Sequence, residues 1–500
     1  MLIFLCFHSE IHAGLPRFAG PRVPIRYGFI MNTVVLVNPP YSFWSPKKNY
    51  LRPFIGNLPS LGLLSLGAVL RKAGYRVKIV ESASLGLSFS RIVDEILREK
   101  PGYVGLSCTT AAVENAAKIA HAVKEKSPAT LVLVGGPHIT ALPEETFRRF
   151  PDFDCGILGE GEAALVDLLE ALNGKKNLDQ VDSAVYRQGE EIRVNPRRGF
   201  IANLDTLPFP AFDLLPDFPR AYRAPFLNYR KGPAASLISS RGCPQTCTFC
   251  DRSVFGNRYR YFSEDYLWEL ISFLHRQYGI RHLVFTDDQF AAFRPRLVRL
   301  GEKLARGGLD IHWNCDARVD SVDPELLRLM KRAGCWMISY GIESGSPKIL
   351  DQIQKGITFG QVEQAIRWTK EAGIRAKGLF MIGYPQETEE TLGETLDFIR
   401  RSPLDEINLS FLTPYPGTEI YQEVKGSAGF SEEWGRMNAL NCLLRPKNLS
   451  CSALEKAYGK IIRRFYMQPG PTFSYLGLLL RSPENVSRLA EGLGRWLLRR

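Results

Sequence analysis

Short apolar runs alternate with amphipathic segments from residue 31 to residue 172. Runs of four to six apolar residues bounded by turn residues are typical of strands buried on both faces. The longer segments between them repeat apolar residues at helical spacing. Because strands and helices alternate, the pattern predicts an α/β domain with a parallel, doubly wound sheet of the flavodoxin or Rossmann-like type. The predicted strands are 34–37, 75–80, 103–107, 130–134 and 155–158, and the predicted helices are 61–73, 92–99, 111–126 and 163–172.

The alternation restarts at residue 236 and continues to residue 425. It predicts a partial (β/α)6 barrel, similar to part of a TIM barrel, with a site on the rim formed by the carboxyl ends of its strands. Two carboxylates, Asp287 and Asp288, follow the second strand and either pair with barrel arginines, orient a substrate or form a turn. The predicted strands are 236–240, 282–286, 311–315, 336–341, 377–382 and 407–412, with helices such as 266–277, 295–306, 324–333, 359–372 and 391–400.

Two segments lie before and between these domains. Residues 1–30 are expected to be a weakly ordered extension or an overcalled start, with Met31 as the real initiator. Residues 173–235 are rich in proline and arginine, and prolines at that density favour an extended path between domains. We therefore expect a linker that contains one small hairpin, at 183–195.

The C-terminal residues 426–500 are predicted to form an α-helical region that becomes increasingly basic and aromatic. The runs 476–480 and 493–500 have the residue types of an interfacial helix. We favour a cap that closes the open side of the barrel over a peripheral membrane contact, and a cap that is both apolar and basic indicates an apolar or carboxylate-bearing substrate. No run in the chain reaches the 18 apolar residues of a spanning helix, so no transmembrane segment is expected.

Composition limits the classes of function. The 500-residue chain is long enough for several domains, and its 45% apolar and 23% charged residues are ordinary for a globular protein. The net charge of +12 is spread along the chain without a block dense enough for a nucleic-acid groove, so no nucleic-acid partner is expected. Ten cysteines are present, and those outside one cluster are scattered singly, which argues against a disulfide framework and for a reducing, cytoplasmic location.

The cysteine cluster is the strongest chemical signal in the chain. Cys243, Cys247 and Cys250 fall within eight residues, directly after a predicted strand and an Arg-Gly turn. Iron–sulfur cubanes usually take four cysteines, so three leave one iron open for another ligand. The alternative, a zinc site, needs a fourth ligand at short spacing, and the next histidine is His275, in a predicted helix.

The spacing Cys-x3-Cys-x2-Cys, with an aromatic residue before the last cysteine, resembles the cluster loop of the radical S-adenosylmethionine (SAM) enzymes. The resemblance implies that Cys243, Cys247 and Cys250 hold a [4Fe-4S] cluster, that SAM binds its open iron, and that reductive cleavage gives a 5′-deoxyadenosyl radical. It also implies adenine contacts in the cluster loop and after the fifth barrel strand, and a ribose contact on the fourth. The residues it implies for SAM binding are Phe249, Ser339, Glu343, Ser344, Gly383 and Pro385.

Small and polar residues follow the strands of the N-terminal domain, where ligands of doubly wound sheets bind. Paired glycines there allow a flat or bulky ligand to approach the backbone. These residues alone leave the ligand open, but the pattern also resembles cobalamin-binding domains, in which a Ser-x-Thr and a Gly-Gly flank the buried dimethylbenzimidazole tail. The cobalamin-binding residues implied are Ser107, Thr109, Gly135, Gly136, Gly159 and Glu160.

The chain departs from the cobalamin pattern at one position. Domains that ligate cobalt through a histidine carry Asp-x-His-x-x-Gly after the first strand, and the best local match, residues 57–62, has Pro59 at the histidine position. We therefore expect a tail-bound cobalamin whose lower cobalt face is not coordinated by a histidine of that motif.

The resemblances together imply a cobalamin-dependent radical SAM enzyme. The leading hypothesis is a C-methyltransferase that uses methylcobalamin to methylate an unactivated carbon of a small-molecule substrate, with an external electron donor of the flavodoxin or ferredoxin type. An oxidative cyclase or ring-rearranging enzyme, of tetrapyrrole or natural-product type, is the alternative with the same cofactors. A nucleic-acid-modifying or nucleic-acid-binding protein is the alternative from another class. The sequence names neither a catalytic residue nor the substrate.

Overall fold

A computed structural model of the chain describes residues 32–41, 56–480 and 485–491. The predicted extension at 1–30 lies outside the described residues. Two large parallel sheets dominate the rest, one in each predicted α/β domain.

The N-terminal domain is built on a sheet of seven described strands. These are β1 (Thr33–Val37), β2 (Arg76–Val80), β3 (Tyr103–Ser107), β4 (Leu131–Gly135), β5 (Cys155–Ile157), β6 (Ala184–Gln188) and β7 (Glu191–Val194). Their order is β2-β1-β3-β4-β5-β6-β7, and the first five pair in parallel. The order 2-1-3-4-5 is that of flavodoxin-like sheets, which bind ligands where the strand order reverses. The predicted doubly wound fold is confirmed.

The hairpin predicted inside the linker belongs to this first sheet. Strand β6 pairs antiparallel with β5, with Tyr186 opposite Cys155, and β7 pairs antiparallel with β6. The prediction that residues 173–235 form only a linker is therefore wrong for their first part. Local sequence shows a hairpin but not its partner, and the free edge of β5 supplies the main-chain hydrogen bonds that incorporate it.

Helices cover both faces of the first sheet. The third of them illustrates the local cause, since the Ser88 hydroxyl accepts a hydrogen bond from the backbone N–H of Arg91 and Ile92 and Ile96 are buried one turn apart. The helices are α1 (Leu61–Lys72), α2 (Ser82–Leu85), α3 (Phe89–Arg98), α4 (Val113–Lys126), α5 (Pro137–Ala141), α6 (Pro143–Arg149) and α7 (Gly161–Leu172).

The second domain is a curled parallel sheet. Its region contains β8 (Ala234–Leu237), β9 (Ser240–Arg241), β10 (Arg260–Tyr261), β11 (His282–Phe285), β12 (His312–Ala317), β13 (Cys335–Glu343), β14 (Arg375–Ile382) and β15 (Glu406–Phe411). Six strands pair in parallel in the order β15-β14-β13-β12-β11-β8, while β9 and β10 form a separate antiparallel pair. Among the described residues β8 and β15 do not pair, so the barrel is open, as predicted.

Alternation along the barrel strands separates an outer face from an inner one. On β14 the side chains of Phe380 and Ile382 are buried, whereas Lys377, Leu379 and Met381 are only partly buried and face the interior. The helices of this domain are α8 (Glu264–Tyr278), α9 (Arg294–Arg306), α10 (Pro324–Arg332), α11 (Pro347–Gln352), α12 (Phe359–Glu371), α13 (Glu389–Arg401) and α14 (Glu419–Val424).

The C-terminal region is helical only in its second half. Helices α15 (Cys451–Tyr466) and α16 (Pro469–Leu480) follow an irregular stretch, so the prediction of a helical region from residue 426 is wrong up to residue 450. The Tyr466 hydroxyl donates to the Ile407 carbonyl oxygen (3.0 Å), which places α15 against β15 at the open edge of the barrel. This contact agrees with the predicted cap.

One pair of cysteines outside the cluster is joined. Cys442 and Cys451 form a disulfide, with their Cα atoms 5.6 Å apart. The expectation that these cysteines stay single is therefore wrong for this pair. The irregular stretch before α15 folds back on the start of that helix, and nothing in the local sequence signals the approach.

Helix α16 carries an outward-facing apolar stripe. Phe473, Leu476 and Leu480 follow one another at helical spacing and are 70%, 49% and 75% exposed. The other side of the helix packs through Ser474, whose hydroxyl accepts from Arg375. A search of the described residues found no helix with the length and apolar character that crossing a bilayer demands.

Candidate functional site

The cluster loop, residues 242–250, is attached to the barrel rim by three anchors. The Gly242 N–H donates to Asp288 Oδ2 (3.0 Å), and the Thr248 N–H donates to the Ile353 carbonyl oxygen (3.2 Å). The Ile420 N–H donates to the Thr248 carbonyl oxygen (3.1 Å). Asp288 follows β11, Ile353 lies at the end of α11 and Ile420 lies near the start of α14. Three separate segments of the barrel domain therefore fix the path of the loop.

The acidic pair predicted at the end of β11 supports the chain that enters this loop. Asp287 is buried and its Oδ1 accepts from the N–H (3.0 Å) and the hydroxyl (2.8 Å) of Ser239 and from the Ser240 hydroxyl. Arg296 donates to the Ser239 carbonyl oxygen (2.9 Å). With Asp288 bound to the loop backbone, both carboxylates are engaged in hydrogen bonds within the fold, and a role in orienting a substrate stays a prediction.

The three cluster cysteines lie together on this loop. Cys247 is buried, Cys243 is half-buried and lies with its Sγ 3.7 Å from Gln289 Oε1, and Cys250 is exposed. Because thiolates, not thiols, ligate metals, binding a metal centre must displace the proton of each cysteine.

A single metal ion and an iron–sulfur cluster differ in how they use three cysteine thiols. Among the described residues, no three histidine, cysteine or acidic side chains converge closely enough to hold one metal ion. A cubane differs because each cysteine ligates a different iron. Within the described part of the chain the zinc alternative therefore finds no support, and the [4Fe-4S] cluster continues to rest on the spacing of the three cysteines.

Glu343, the predicted ribose ligand, ends β13 in an unusual backbone conformation. The pairing of β13 with β14 shifts register between Gly341 and Glu343, and Glu343 has a φ of 69°. Such conformations in residues other than glycine concentrate at functional sites. Its Oε1 accepts from Lys355 Nζ (2.7 Å), and that Nζ lies 5.8 Å from the ring centroid of Phe249. The structure thus brings Glu343 and Phe249 together and adds Lys355, which the sequence did not signal.

The two predicted serine helpers have different surroundings. Ser339 is buried on β13 and lies opposite Asp316 of β12 in the strand pairing. Ser344 Oγ lies 3.2 Å from Thr395 Oγ1 and accepts from the Ser346 N–H (3.1 Å), so its hydroxyl is used within the fold. Contact of either serine with SAM stays a prediction.

The predicted adenine segment forms a turn after β14. Gly383 has a φ of 97°, which favours glycine, and its N–H donates to Glu387 Oε2 (3.1 Å). The Pro385 carbonyl oxygen accepts from the Lys447 N–H (3.3 Å). Both predicted residues therefore lie in one well-supported turn at the barrel rim, and their contact with adenine stays a prediction.

A cavity of about 410 Å³ separates the carboxyl edge of the first sheet from the barrel domain. Its size is that of a small-molecule site and its walls are mostly apolar, which suits a flat aromatic group. Asp251 and Phe255, just beyond the cluster loop, form part of the opposite wall. Five of the six predicted cobalamin residues line it, namely Ser107, Gly135, Gly136, Gly159 and Glu160.

The glycine pair meets two separate requirements. Gly136 has a φ of 103°, and a Cβ there would lie 2.9 Å from the Cys108 carbonyl oxygen. A Cβ on Gly135 would meet nothing nearer than the Ile157 carbonyl oxygen at 3.6 Å. Gly136 is therefore needed by the protein itself, whereas Gly135 leaves space at the cavity wall that a ligand can use.

Two predicted cobalamin residues do not present free groups to this cavity. Thr109 is not part of its lining, and within the described residues its buried hydroxyl has no hydrogen-bond partner. Glu160 lines the cavity, but its carboxylate pairs with Arg241 and Arg260 (both 2.7 Å). A cobalamin contact by Thr109, or by the backbone of Glu160, stays a prediction.

Pro59 stands where cobalt-ligating domains carry a histidine, and the residues that follow it contribute apolar or small groups to the cavity wall. Leu61 and Gly62 of helix α1 line the cavity, and no histidine of the described residues does. The buried His138, the nearest histidine in sequence to the glycine pair, has a ring 4.5 Å from that of Trp434.

Two family models match the chain in the same order as the two sheets. A model described as the B12 binding domain matches residues 50–169, which include the predicted cobalamin residues. A model described as the radical SAM superfamily matches residues 237–399, which include the cluster loop.

Relatives and solved structures match most of the chain. An uncharacterized methyltransferase from Pyrococcus horikoshii is 33% identical over 428 residues, 85% of this chain and 91% of the relative. The anaerobic magnesium-protoporphyrin IX monomethyl ester cyclase of Rubrivivax gelatinosus is 27% identical over 82% of this chain and 74% of the relative. The radical SAM methyltransferase TsrM from Kitasatospora setae, with cobalamin and a [4Fe-4S] cluster bound, superimposes with a TM-score of 0.69 at 18% identity, covering 88% of this chain and 89% of that one.

Proposed function

Because the chain belongs to the radical SAM enzymes that carry a B12-binding domain, we propose that it is a C-methyltransferase acting on an unactivated carbon of a small-molecule substrate. Its cofactors are cobalamin, a [4Fe-4S] cluster and SAM. The observation that carries the proposal is the shared wall, since residues following the cluster loop line the same cavity as the strand ends of the first sheet. The relative from Pyrococcus horikoshii is likewise described as a methyltransferase.

The chain contributes placement and the exclusion of water. When bound, the cluster supplies the electron that cleaves SAM to a 5′-deoxyadenosyl radical, and cobalamin supplies the methyl group. In this proposal Cys243, Cys247 and Cys250 hold the cluster, while Glu343 and Lys355 bind polar groups of SAM. The mostly apolar cavity walls keep water away from reactive species, which limits side reactions.

Release of S-adenosylhomocysteine tests the proposal without knowledge of the substrate. A methyltransferase of this kind takes its methyl group from SAM, so the reduced chain loaded with cobalamin should release a stoichiometric amount of S-adenosylhomocysteine before any substrate is added. Chromatography of the quenched mixture measures it together with 5′-deoxyadenosine. Formation of 5′-deoxyadenosine without S-adenosylhomocysteine would contradict methyl transfer.

That contrary result is the one expected for the second candidate function, an oxidative cyclase or ring-rearranging enzyme with the same cofactors. The similarity to the cyclase of Rubrivivax gelatinosus over 82% of this chain favours it. The higher identity to the methyltransferase from Pyrococcus horikoshii, 33% against 27%, is why we place methyl transfer first.

Changing Glu343 to glutamine should weaken SAM binding. The carboxylate lies beside Lys355 and Phe249, and losing its charge weakens hydrogen bonds to the ribose hydroxyls by about 1.4 kcal/mol, or roughly tenfold in Kd. Isothermal titration with SAM under anaerobic conditions measures the change. Asp405→Asn is the matched control, because Asp405 is also buried and paired with a lysine, Lys370 (2.6 Å). Equal affinity of Glu343→Gln and the wild type would remove Glu343 from the SAM site.

Bound cobalamin should show no nitrogen ligand on its lower face. Leu61 and Gly62, rather than a histidine, line this part of the cavity. The electron paramagnetic resonance (EPR) spectrum of the cob(II)alamin form should therefore lack the splitting that an axial nitrogen produces. A spectrum with nitrogen splitting would show that a histidine, or the dimethylbenzimidazole itself, binds the cobalt.

Two partner assignments are also proposals. An external donor of the flavodoxin or ferredoxin type is needed to reduce the cluster, and the net charge of +12 favours an acidic protein.

The apolar stripe of α16 supports an apolar substrate or a peripheral membrane contact. Sedimentation with anionic vesicles checks the contact, and equal binding of the wild type and Phe473→Ser would exclude this stripe.

A further inference from the structure

Four charged residues connect the two domains between the cavity and the cluster loop. Arg241 Nη1 donates to Glu160 Oε1 (2.7 Å), and Arg241 Nη2 donates to Glu162 Oε1 (2.5 Å). Arg260 Nη1 donates to both oxygens of Glu160 (2.9 and 2.7 Å). We call these four residues the interdomain charge network. Its carboxylates belong to the first domain and its guanidinium groups to the second.

Because the network is buried, it is expected to fix the relative positions of its residues more than to add net stability. Its side chains are between 3% and 7% exposed. Burial alone would raise the pKa of Glu162, but the adjacent Arg241 charge and hydrogen bond hold it below its usual value, so the pair stays charged. Buried ion pairs often contribute little net stability compared with apolar residues of similar size, because desolvation offsets their attraction. What they do supply is a fixed geometry, since the planar guanidinium of Arg241 donates to two different carboxylates through its two Nη atoms and can do so in few orientations.

Further hydrogen bonds restrict the network on both sides. The Ser65 hydroxyl donates to Glu162 Oε1 (2.8 Å), and the Ile201 N–H donates to Glu160 Oε2 (2.8 Å). Within the described residues, Nε of Arg241 and Nε of Arg260 are buried without a partner. Glu162 is thus held from the first domain and Glu160 from the linker, while Arg260 is fixed further because it donates to the carbonyl oxygens of Ile201 (2.9 Å) and Phe255 (3.1 Å).

The network touches both cofactor sites directly. Glu160, Glu162 and Arg241 line the cavity that we assign to cobalamin. Arg241 and Arg260 lie opposite each other in the β9–β10 pair, and Arg241 precedes Cys243 by two residues. A displacement of the first domain against the barrel would therefore move the cavity wall relative to the start of the cluster loop.

We propose that the interdomain charge network is a positioning device that sets the separation and orientation of the cobalamin site relative to the cluster loop. The inference rests on the proposed function, because it requires both cofactors in one chain. It gives these residues a role apart from the chemistry, since none of them needs to touch a reacting atom. Misplacement of reacting groups by about 1 Å already costs large factors in rate, so such a device has a clear use.

The magnetic interaction between the two cofactors measures this geometry without a substrate. Cob(II)alamin and the reduced cluster are both paramagnetic, and the dipolar splitting between them in EPR spectra reports their separation and its spread. Glu162→Gln retains shape but loses charge, and Arg260→Lys retains charge but loses the fork. Both variants should keep their iron and cobalt, while the splitting shifts or broadens by an amount equivalent to about 1 Å or more.

Asp154→Asn provides the matched control, because Asp154 pairs with Lys124 (2.6 Å) inside the first domain and spans no interface. It should lower thermal stability without altering the dipolar splitting. Wild-type splitting in both network variants would overturn the inference and leave the proposed function standing. If the wild-type chain takes up no cobalamin, both proposals fail. If Glu162→Gln does not yield folded holoprotein, the Arg260→Lys result decides.

Discussion

Cys247→Ala is expected to prevent cluster assembly and to reduce 5′-deoxyadenosine formation by about 1,000-fold or more, equivalent to about 4 kcal/mol of lost transition-state stabilisation. Cys247 is the buried member of the trio, on a loop fixed at Thr248. Among the described residues, the other unpaired cysteines are Cys108, Cys155, Cys315 and Cys335, all buried in strands or at strand ends and unable to substitute. A two-cysteine loop would leave too few protein ligands for the cluster.

Cys335→Ala provides the control for this change. Cys335 is also buried and in the barrel domain, but it begins β13 and lies outside the cluster loop. It should retain about four irons per chain after anaerobic reconstitution. Iron analysis, EPR of the reduced cluster and chromatographic measurement of 5′-deoxyadenosine make the comparison. SAM cleavage by Cys247→Ala at the wild-type rate would contradict the assigned cluster site.

Gly135→Val is expected to lower cobalamin affinity at least tenfold, or about 1.4 kcal/mol, without changing the iron content. Gly135 ends β4 at the cavity wall, and a Cβ there would meet no protein atom within 3.5 Å. The Cβ of a valine therefore fits at this position, and its methyl groups would occupy space that we assign to the cobalamin tail. Steric exclusion from a close-fitting site is the physical reason for the loss.

Gly393→Val is the control for the cavity variant. Gly393 lies in α13, and a Cβ on it would meet nothing within 4 Å. It lines neither the cavity nor the cluster loop, so cobalt uptake should match that of the wild type. Cobalt analysis after gel filtration gives the bound fraction in each variant. Unchanged uptake by Gly135→Val would place the cobalamin tail elsewhere.

The spacing of apolar residues, and the turn residues that bound each run, made most of the fold predictable. Runs such as 103–107 are apolar because parallel strands covered on both faces need no polar side, and the observed β3 has those same bounds. The alternation of strands and helices also predicted the partial barrel. Short elements beginning at Pro137, Pro143 and Pro347 were not predicted, because proline-led segments of this length resemble loops in sequence.

The errors arose where distant segments decide the outcome. Strand β6 joins the first sheet through a neighbour, β5, that only the tertiary fold supplies. The pairing of Cys442 with Cys451 depends on an irregular stretch folding back. Ser344 is not one of these errors: its hydroxyl lies beside Thr395, on a helix that is far away in sequence, and its contact with SAM stays a prediction.

The same limit applied to the candidate site. Cys243, Cys247 and Cys250 could be selected because their ligand spacing is local. Lys355 reaches Glu343 from a loop twelve residues further along. The interdomain charge network joins residues 79 to 100 positions apart, and of its four members only Glu160 was among the predicted site residues. Ligands that lie close together in sequence can thus be recognised from their spacing. Residue pairs that span two domains can be recognised only in the three-dimensional structure.

Metal analysis of one anaerobically reconstituted preparation tests most directly that a single chain holds both cofactors. The wild-type chain, supplied with iron, sulfide and hydroxocobalamin and then desalted, should retain about four irons and about one cobalt per chain. Cys247→Ala should lose the iron alone, and Gly135→Val the cobalt alone. A wild-type chain that retains iron but less than about a tenth of an equivalent of cobalt, at hydroxocobalamin concentrations that saturate ordinary sites, would contradict the two-cofactor assignment.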